Sequence, residues 1–139
     1  MKLRPYLDSD HDDIIALWTD CGLVVPQNNP SKDITRKLKT GRDLFLVGES
    51  EVGIVGSVMG GYDGHRGWIN YLAVSPSAQG LGYGRVLMES IEALLREKGC
   101  PKINLQVRNT NTKVIEFYKA IGFLDDNVVS LGKRLEFDN

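Results

Sequence analysis

The stretch Leu72-Ala73-Val74-Ser75-Pro76-Ser77-Ala78-Gln79-Gly80-Leu81-Gly82-Tyr83-Gly84-Arg85 limits the fold more tightly than any other part of the chain. Its first residues are apolar and strand-like, Ser75-Pro76 ends them, glycines recur at Gly80, Gly82 and Gly84, and an amphipathic run begins at Tyr83. A strand that turns directly into a helix leaves the first four helical amides without internal partners and places the positive end of the helix dipole at the turn. Backbone alone can hold phosphate oxygens there, and glycine lets them come close. The junction is a natural anion site on a sheet-and-helix fold.

Two familiar phosphate loops do not match it. A dinucleotide turn needs glycine or alanine three residues after its second glycine, and a nucleoside triphosphate loop needs Gly-Lys followed by a hydroxyl. The position three after Gly82 is Arg85, the one after Gly84 is Leu87, and Gly132-Lys133 is followed by Arg134.

Hydrophobic periodicity supplies the surrounding elements. Lys2 to Tyr6 reads as an opening strand, and Ser9 or Asp10 caps a helix with Ile14, Leu17, Trp18 and Cys21 on its buried stripe. Gly22 ends that helix, Val24 to Pro30 forms a loop, and Ser31 caps a second helix anchored by Ile34 and Leu38. Strands follow at Leu44 to Glu49, Val52 to Tyr62 and Trp68 to Val74, joined by turns at Ser50-Glu51 and Asp63 to Gly67, as in an antiparallel meander. A helix from about Tyr83 to Lys98 buries Tyr83, Leu87, Ile91, Leu94 and Leu95, and Gly99 stops it. Lys102 to Val107 is then a strand, Asn111 to Ala120 a helix, and Val128 to Leu135 a last strand. Alternation of strand and helix in this second half makes part of the sheet parallel. The expected class is α/β (α+β), one domain over residues 1–139, with helices on both faces of one mixed sheet.

Composition removes several classes of function. Seventeen Lys and Arg face eighteen Asp and Glu, a balance unlike the basic excess of a nucleic-acid binder. The start Met1-Lys2-Leu3-Arg4-Pro5 lacks a secretory apolar stretch and no window is long enough to span a bilayer, so a cytoplasmic protein without membrane partners is expected. Cys21 and Cys100 are far apart and read as reduced structural thiols, and His11 and His65 are too scattered to cage a metal.

Gln79-Gly80-Leu81-Gly82-Tyr83-Gly84 resembles the signature Gln/Arg-x-x-Gly-x-Gly/Ala of the GNAT acetyltransferases, in the strand-loop-helix setting that signature requires. The order of elements is similar to the GNAT topology along nearly the whole chain. Within the family the chain looks close to the bacterial YpeA group through Phe45-Leu46-Val47, Val58 to Gly67, Gly99-Cys100-Pro101-Lys102-Ile103 and Leu131-Gly132-Lys133-Arg134-Leu135. The resemblance implies a mostly antiparallel central sheet of six or seven strands flanked by about four helices. It implies acetyl-coenzyme A as co-substrate, with no metal, and an amine as acceptor. The amides of Gln79, Gly80, Leu81, Gly82, Tyr83 and Gly84 would cradle the pyrophosphate, while Leu72, Ala73 and Val74 would pair with the pantetheine arm as an added strand would. The Val74 amide would face the thioester oxygen as it gains charge.

Amide formation from a thioester removes one proton from the amine and leaves a thiolate. Tyr118 falls where the family often has a tyrosine near the coenzyme sulfur, and it equally suits a packed helix tyrosine beside Val114, Phe117 and Ile121. Asn111 matches a position near the pantetheine and equally suits an N-cap. For the base, the third strand of the meander offers Trp68, Asn70 and Tyr71 but no carboxylate. Asp63 and His65 lie in the turn before it, where an Asp-Gly-His sequence also simply folds, and a water chain would serve an α-amine of pKa near 8. No Cys or Ser stands where an acetyl-enzyme would form, so a direct ternary-complex transfer is expected. The alternative reading is a non-catalytic acyl-coenzyme A sensor or interaction module. By analogy, the Val128 to Leu135 strand would serve as an edge or as a homodimer contact.

Overall fold

The computed structural model describes residues 1–138. A five-stranded sheet runs in the order β1 (Lys2–Pro5), β2 (Phe45–Ser50), β3 (Gly53–Tyr62), β4 (Gly67–Val74), β5 (Ile103–Asn104). The first four strands are antiparallel neighbours and β5 joins β4 in parallel. Helices α1 (His11–Asp20) and α2 (Pro30–Thr40) precede β2, α3 (Tyr83–Glu97) links β4 to β5, and α4 (Thr112–Ala120) follows β5.

Each face of the sheet has its own core, as alternation along strands requires. Ile14, Leu17 and Trp18 of α1 and Ile34 of α2 pack with Phe45, Val47, Met59 and Ala73 on one face. Leu87, Met88, Ile91 and Leu95 of α3 and Tyr118 of α4 pack with Leu46, Val58 and Ile69 on the other. Glycines bring α3 down onto β3: a Cβ at Gly56 would lie 2.9 Å from Leu87 Cδ1, and one at Gly60 would lie 2.7 Å from Ile91 Cγ1.

Four expectations need correction. Asn29, not Ser31, caps α2: its side chain accepts from the Lys32 amide, and Pro30 takes the first turn, where its missing N–H costs nothing. Asp10 stands at the start of α1 without capping it. Its carboxylate instead accepts a two-pronged pair from Arg4 at 2.7 and 2.8 Å and a bond from the Leu7 amide, so the charge attraction of the guanidinium outweighs the cap. β5 is two residues long rather than Lys102 to Val107, because β4 diverges from it. No strand forms over Val128 to Leu135, which leaves five strands instead of six or seven. Residues 124–138 are held by side chains, with Asp126 against Lys102 and Asn104, Ser130 against Gln106, and Arg134 against Asn28.

Candidate active site

The site is built where β4 leaves β5. The two pair only at Gly67 with Ile103 and Trp68 with Asn104, after which β4 continues to Val74 with that edge open. The divergence starts at a bulge: the β3–β4 register shifts between Ser57 and Met59, and Tyr71 opposite the shift has φ +51°. A bulge inserts a residue and sharpens the local twist, turning the strand away from its neighbour. Left-handed backbone is costly for tyrosine, so surrounding contacts must hold it. Ser57 Oγ donates to the Tyr71 carbonyl at 2.9 Å and accepts from Trp18 Nε1 at 2.9 Å. The Trp18 and Tyr71 rings stack with centroids 3.8 Å apart, and the Tyr71 hydroxyl donates to Asp33 of α2. Burial and the Asp33 carboxylate raise the Tyr71 pKa, so the phenol stays protonated as a donor.

Beyond the bulge the backbone alternates. The Ser75 amide donates to Val55 at 2.8 Å, which by antiparallel alternation turns Ala73 toward Ser57 of β3 and turns Leu72 and Val74 toward the open edge. The Val74 carbonyl is already engaged by the Cys21 thiol at 3.2 Å and by Gln79 Nε2 at 3.1 Å. Burial raises the Cys21 pKa, which keeps it a neutral donor. Gln79 thus fastens the glycine turn to the strand end with its side chain.

Gly80 and Gly82 take φ +82° and +81°, and a Cβ at either would meet no atom within 4 Å. These glycines answer to backbone conformation and leave clear space above the turn. Leu81 between them is exposed, Tyr83 opens α3 half-buried, and no side chain caps that helix. Gly84 serves packing, since a Cβ there would lie 3.1 Å from Phe117 Cζ of α4. Contiguous on β4 and the turn, the predicted residues from Leu72 to Gly84 form one wall.

Asn111 begins α4 exposed, and its side chain makes no capping bond. Tyr118 is 9% exposed, edge-on to Phe117 and Phe123, and burial pushes its pKa up to about 12. Asp63 builds its turn: one carboxylate oxygen accepts from the His65 and Arg66 amides and the other from Trp68 Nε1. These bonds lower its pKa and occupy both oxygens, a poor state for a base. His65 is exposed beside it. Sequence reasoning missed Asp33 and Ser57, since nothing in a helix Asp or strand Ser signals a partner across the sheet. Among the described residues no three His, Cys, Asp or Glu gather as a metal would need, and no helix is long and apolar enough to cross a membrane.

The model of the acetyltransferase (GNAT) family matches residues 9–123. The chain belongs to the GNAT acetyltransferase family. It is 45% identical over 138 residues to an acetyltransferase of Yersinia enterocolitica, covering 99% of this chain and 98% of that one. An acetyltransferase of Pectobacterium atrosepticum is 46% identical over 135 residues, 97% of this chain and 96% of that one. Among solved structures, Naa20 of Chaetomium thermophilum with a bisubstrate analogue superposes with TM-score 0.72 at 27% identity, over 88% of this chain and 70% of that one. The acetyltransferase is therefore an acyl-transfer enzyme of a family whose donor is acetyl-coenzyme A. Its residues fit that donor: an open strand edge beside Leu72 and Val74, a glycine turn with no Cβ above it, and uncapped amides at the head of α3.

Proposed function

We propose that residues 1–139 act as one cytoplasmic domain that transfers acetyl from acetyl-coenzyme A to the amine of a small molecule or peptide, by direct attack in a ternary complex. Nucleic acid and membrane are not partners in this reading. The observation that carries it is the open edge of β4 running from the Tyr71 bulge into the glycine turn. The bound donor supplies an activated carbonyl and a thiol leaving group. Leu72 and Val74 lie along the pantetheine with Ala73 bonded to β3 behind them, and the amides of Gln79, Gly80, Leu81, Gly82, Tyr83 and Gly84 hold the pyrophosphate. The Val74 amide stabilises the carbonyl oxygen as charge develops on it. Asn111 borders the pantetheine from α4.

Tyr118 donates to the departing sulfur. A phenol near 12 is protonated throughout the neutral range but is a weaker acid than a thiol near 8.5, so it acts by hydrogen bonding more than by full transfer. With Asp63 committed to its turn, the amine proton leaves through water, which suits an α-amine better than a lysine. The test is thiol release from acetyl-coenzyme A over amino acids, polyamines, aminoglycosides and short peptides. Release with one amine class, falling about tenfold in kcat for Tyr118→Phe with KM for the donor unchanged, is expected. A Tyr118→Phe enzyme with unaltered kcat would remove the tyrosine from the reaction.

The proposed oligomer is a homodimer. Along the tail Ser130, Arg134, Glu136 and Asp138 meet the chain's own surface, while Val129, Leu131, Leu135 and Phe137 alternate with them and are 80–91% exposed. An apolar row of that kind, spaced as in a strand, suits burial against a second copy.

A further inference from the structure

Basic side chains of α2 grip the side-chain carboxylates of Glu136 and Asp138. Arg36 of α2 donates from Nη1 and Nη2 to the two oxygens of Asp138 at 2.7 and 3.0 Å, and from Nη2 to Glu136 at 2.9 Å. Lys32 Nζ lies 3.9 Å from the same Asp138, whose side chain is only 7% exposed. Arg134 adds positive charge from the tail and is placed by Asn28 in the loop between α1 and α2, at 2.8 Å. Arg36, Arg134, Leu135, Glu136 and Asp138 line an open cavity of about 360 Å³. The fork geometry of arginine matches a carboxylate, and here it holds that of Asp138.

This basic cluster connects through side chains to the splayed strand β4. Arg36 Nη1 is 3.5 Å from Asp33, and Asp33 accepts from the hydroxyl of Tyr71, the residue before Leu72 on the splayed strand. Among the described residues, the occupying carboxylates sit on a segment that makes no helix or strand and is tied by side chains. Arg36 itself is 47% exposed, and ion pairs at such a position are weak competitors for an incoming ligand.

We propose that Arg36, with Arg134 and Lys32, binds the carboxylate of the acceptor, and that Asp138 and Glu136 hold this place in the free enzyme until an amine bearing a carboxylate displaces them. The acceptor class is therefore an amino acid or a peptide with an acidic group near its amine. This rests on the acetyltransferase reading above and narrows its substrate. α-Amines, which need the least help in losing a proton, commonly carry a carboxylate one carbon away.

Calorimetric titration of the enzyme saturated with coenzyme A tests it, using N-acetyl-L-alanine and N-acetyl-L-glutamate against their amides as product-like probes. The expected result is at least tenfold tighter binding of one acid over its amide. Arg36→Gln and Arg36→Lys should lose that preference, because a lysine cannot reproduce the fork, and the double variant Glu136→Gln/Asp138→Asn should bind the acid several-fold more tightly. Circular dichroism confirms that each variant is folded. Equal binding of acids and amides, binding of neither, or a preference that survives Arg36→Gln overturns the proposal. Thiol release measured alongside separates the two readings. A preference without release from any amine defeats only the turnover reading, and release from amides as readily as from acids defeats only the carboxylate site.

Discussion

Single side chains hold β4 in an unfavourable shape at Tyr71. Ser57 is fully buried and serves two groups at once, the Trp18 indole and the Tyr71 carbonyl. Ser57→Ala takes a buried partner from both, and a loss of about 1–3 kcal/mol in urea unfolding is expected. Weaker coenzyme A binding should accompany it, since the bulge at Tyr71 shapes the stretch of β4 whose edge lies open beyond Trp68. Tyr118 gives a prediction in pH. Its folded pKa, about 12, lies above the ordinary phenol value near 10, so the folded state retains a proton that the unfolded chain releases. The stabilisation is fully present below pH 10 and is lost as pH climbs toward 12, by up to roughly 3 kcal/mol. Urea midpoints at pH 9 and 11 should differ less for Tyr118→Phe than for the native chain. Tyr71, raised in the same direction, keeps some of the slope.

Among elements, the strand-turn-helix unit from β4 to α3 places the most chemistry in the fewest residues. Gly82 stands at the N-terminal boundary of α3 in left-handed conformation with open space around it. Gly82→Ala should therefore cost about 1–2 kcal/mol through backbone strain and not through a clash. The same variant should weaken coenzyme A binding in calorimetry, because relaxation of the turn misdirects the first amides of α3. This unit was legible in the sequence: Ser75-Pro76 marks the strand end, the glycines mark the turn, and the apolar spacing from Leu87 marks the helix. The tail was not. Val128 to Leu135 has the alternation of a strand, but alternation reports which residues share a face and says nothing about whether a neighbour offers a free edge in register. With β5 reduced to two residues, its outer edge gives the tail too little to pair with.

At the scale of the whole molecule, the tail presents two different faces. Its polar residues close over α2 and the loop before it, and its apolar residues point outward. Sedimentation velocity is expected to give a dimer for the native chain and a monomer for the pair Leu131→Asp/Leu135→Asp, with thiol release retained in the monomer.

Local pattern determined the order of strands and helices as far as α4, the meander, the crossover that makes β5 parallel and the glycine turn, whose resemblance to the GNAT signature implied the family and its acyl donor. These follow from short-range rules: the period of apolar residues, φ freedom at glycine, and orphan amides at a helix start. Tertiary structure decided what those rules cannot reach. It joined Trp18, Ser57, Tyr71 and Asp33 across α1, β3, β4 and α2, and brought Arg36 to Asp138. Each of those pairings depends on how elements pack, and a side chain's partner across a sheet has no signature in its own neighbourhood of the chain.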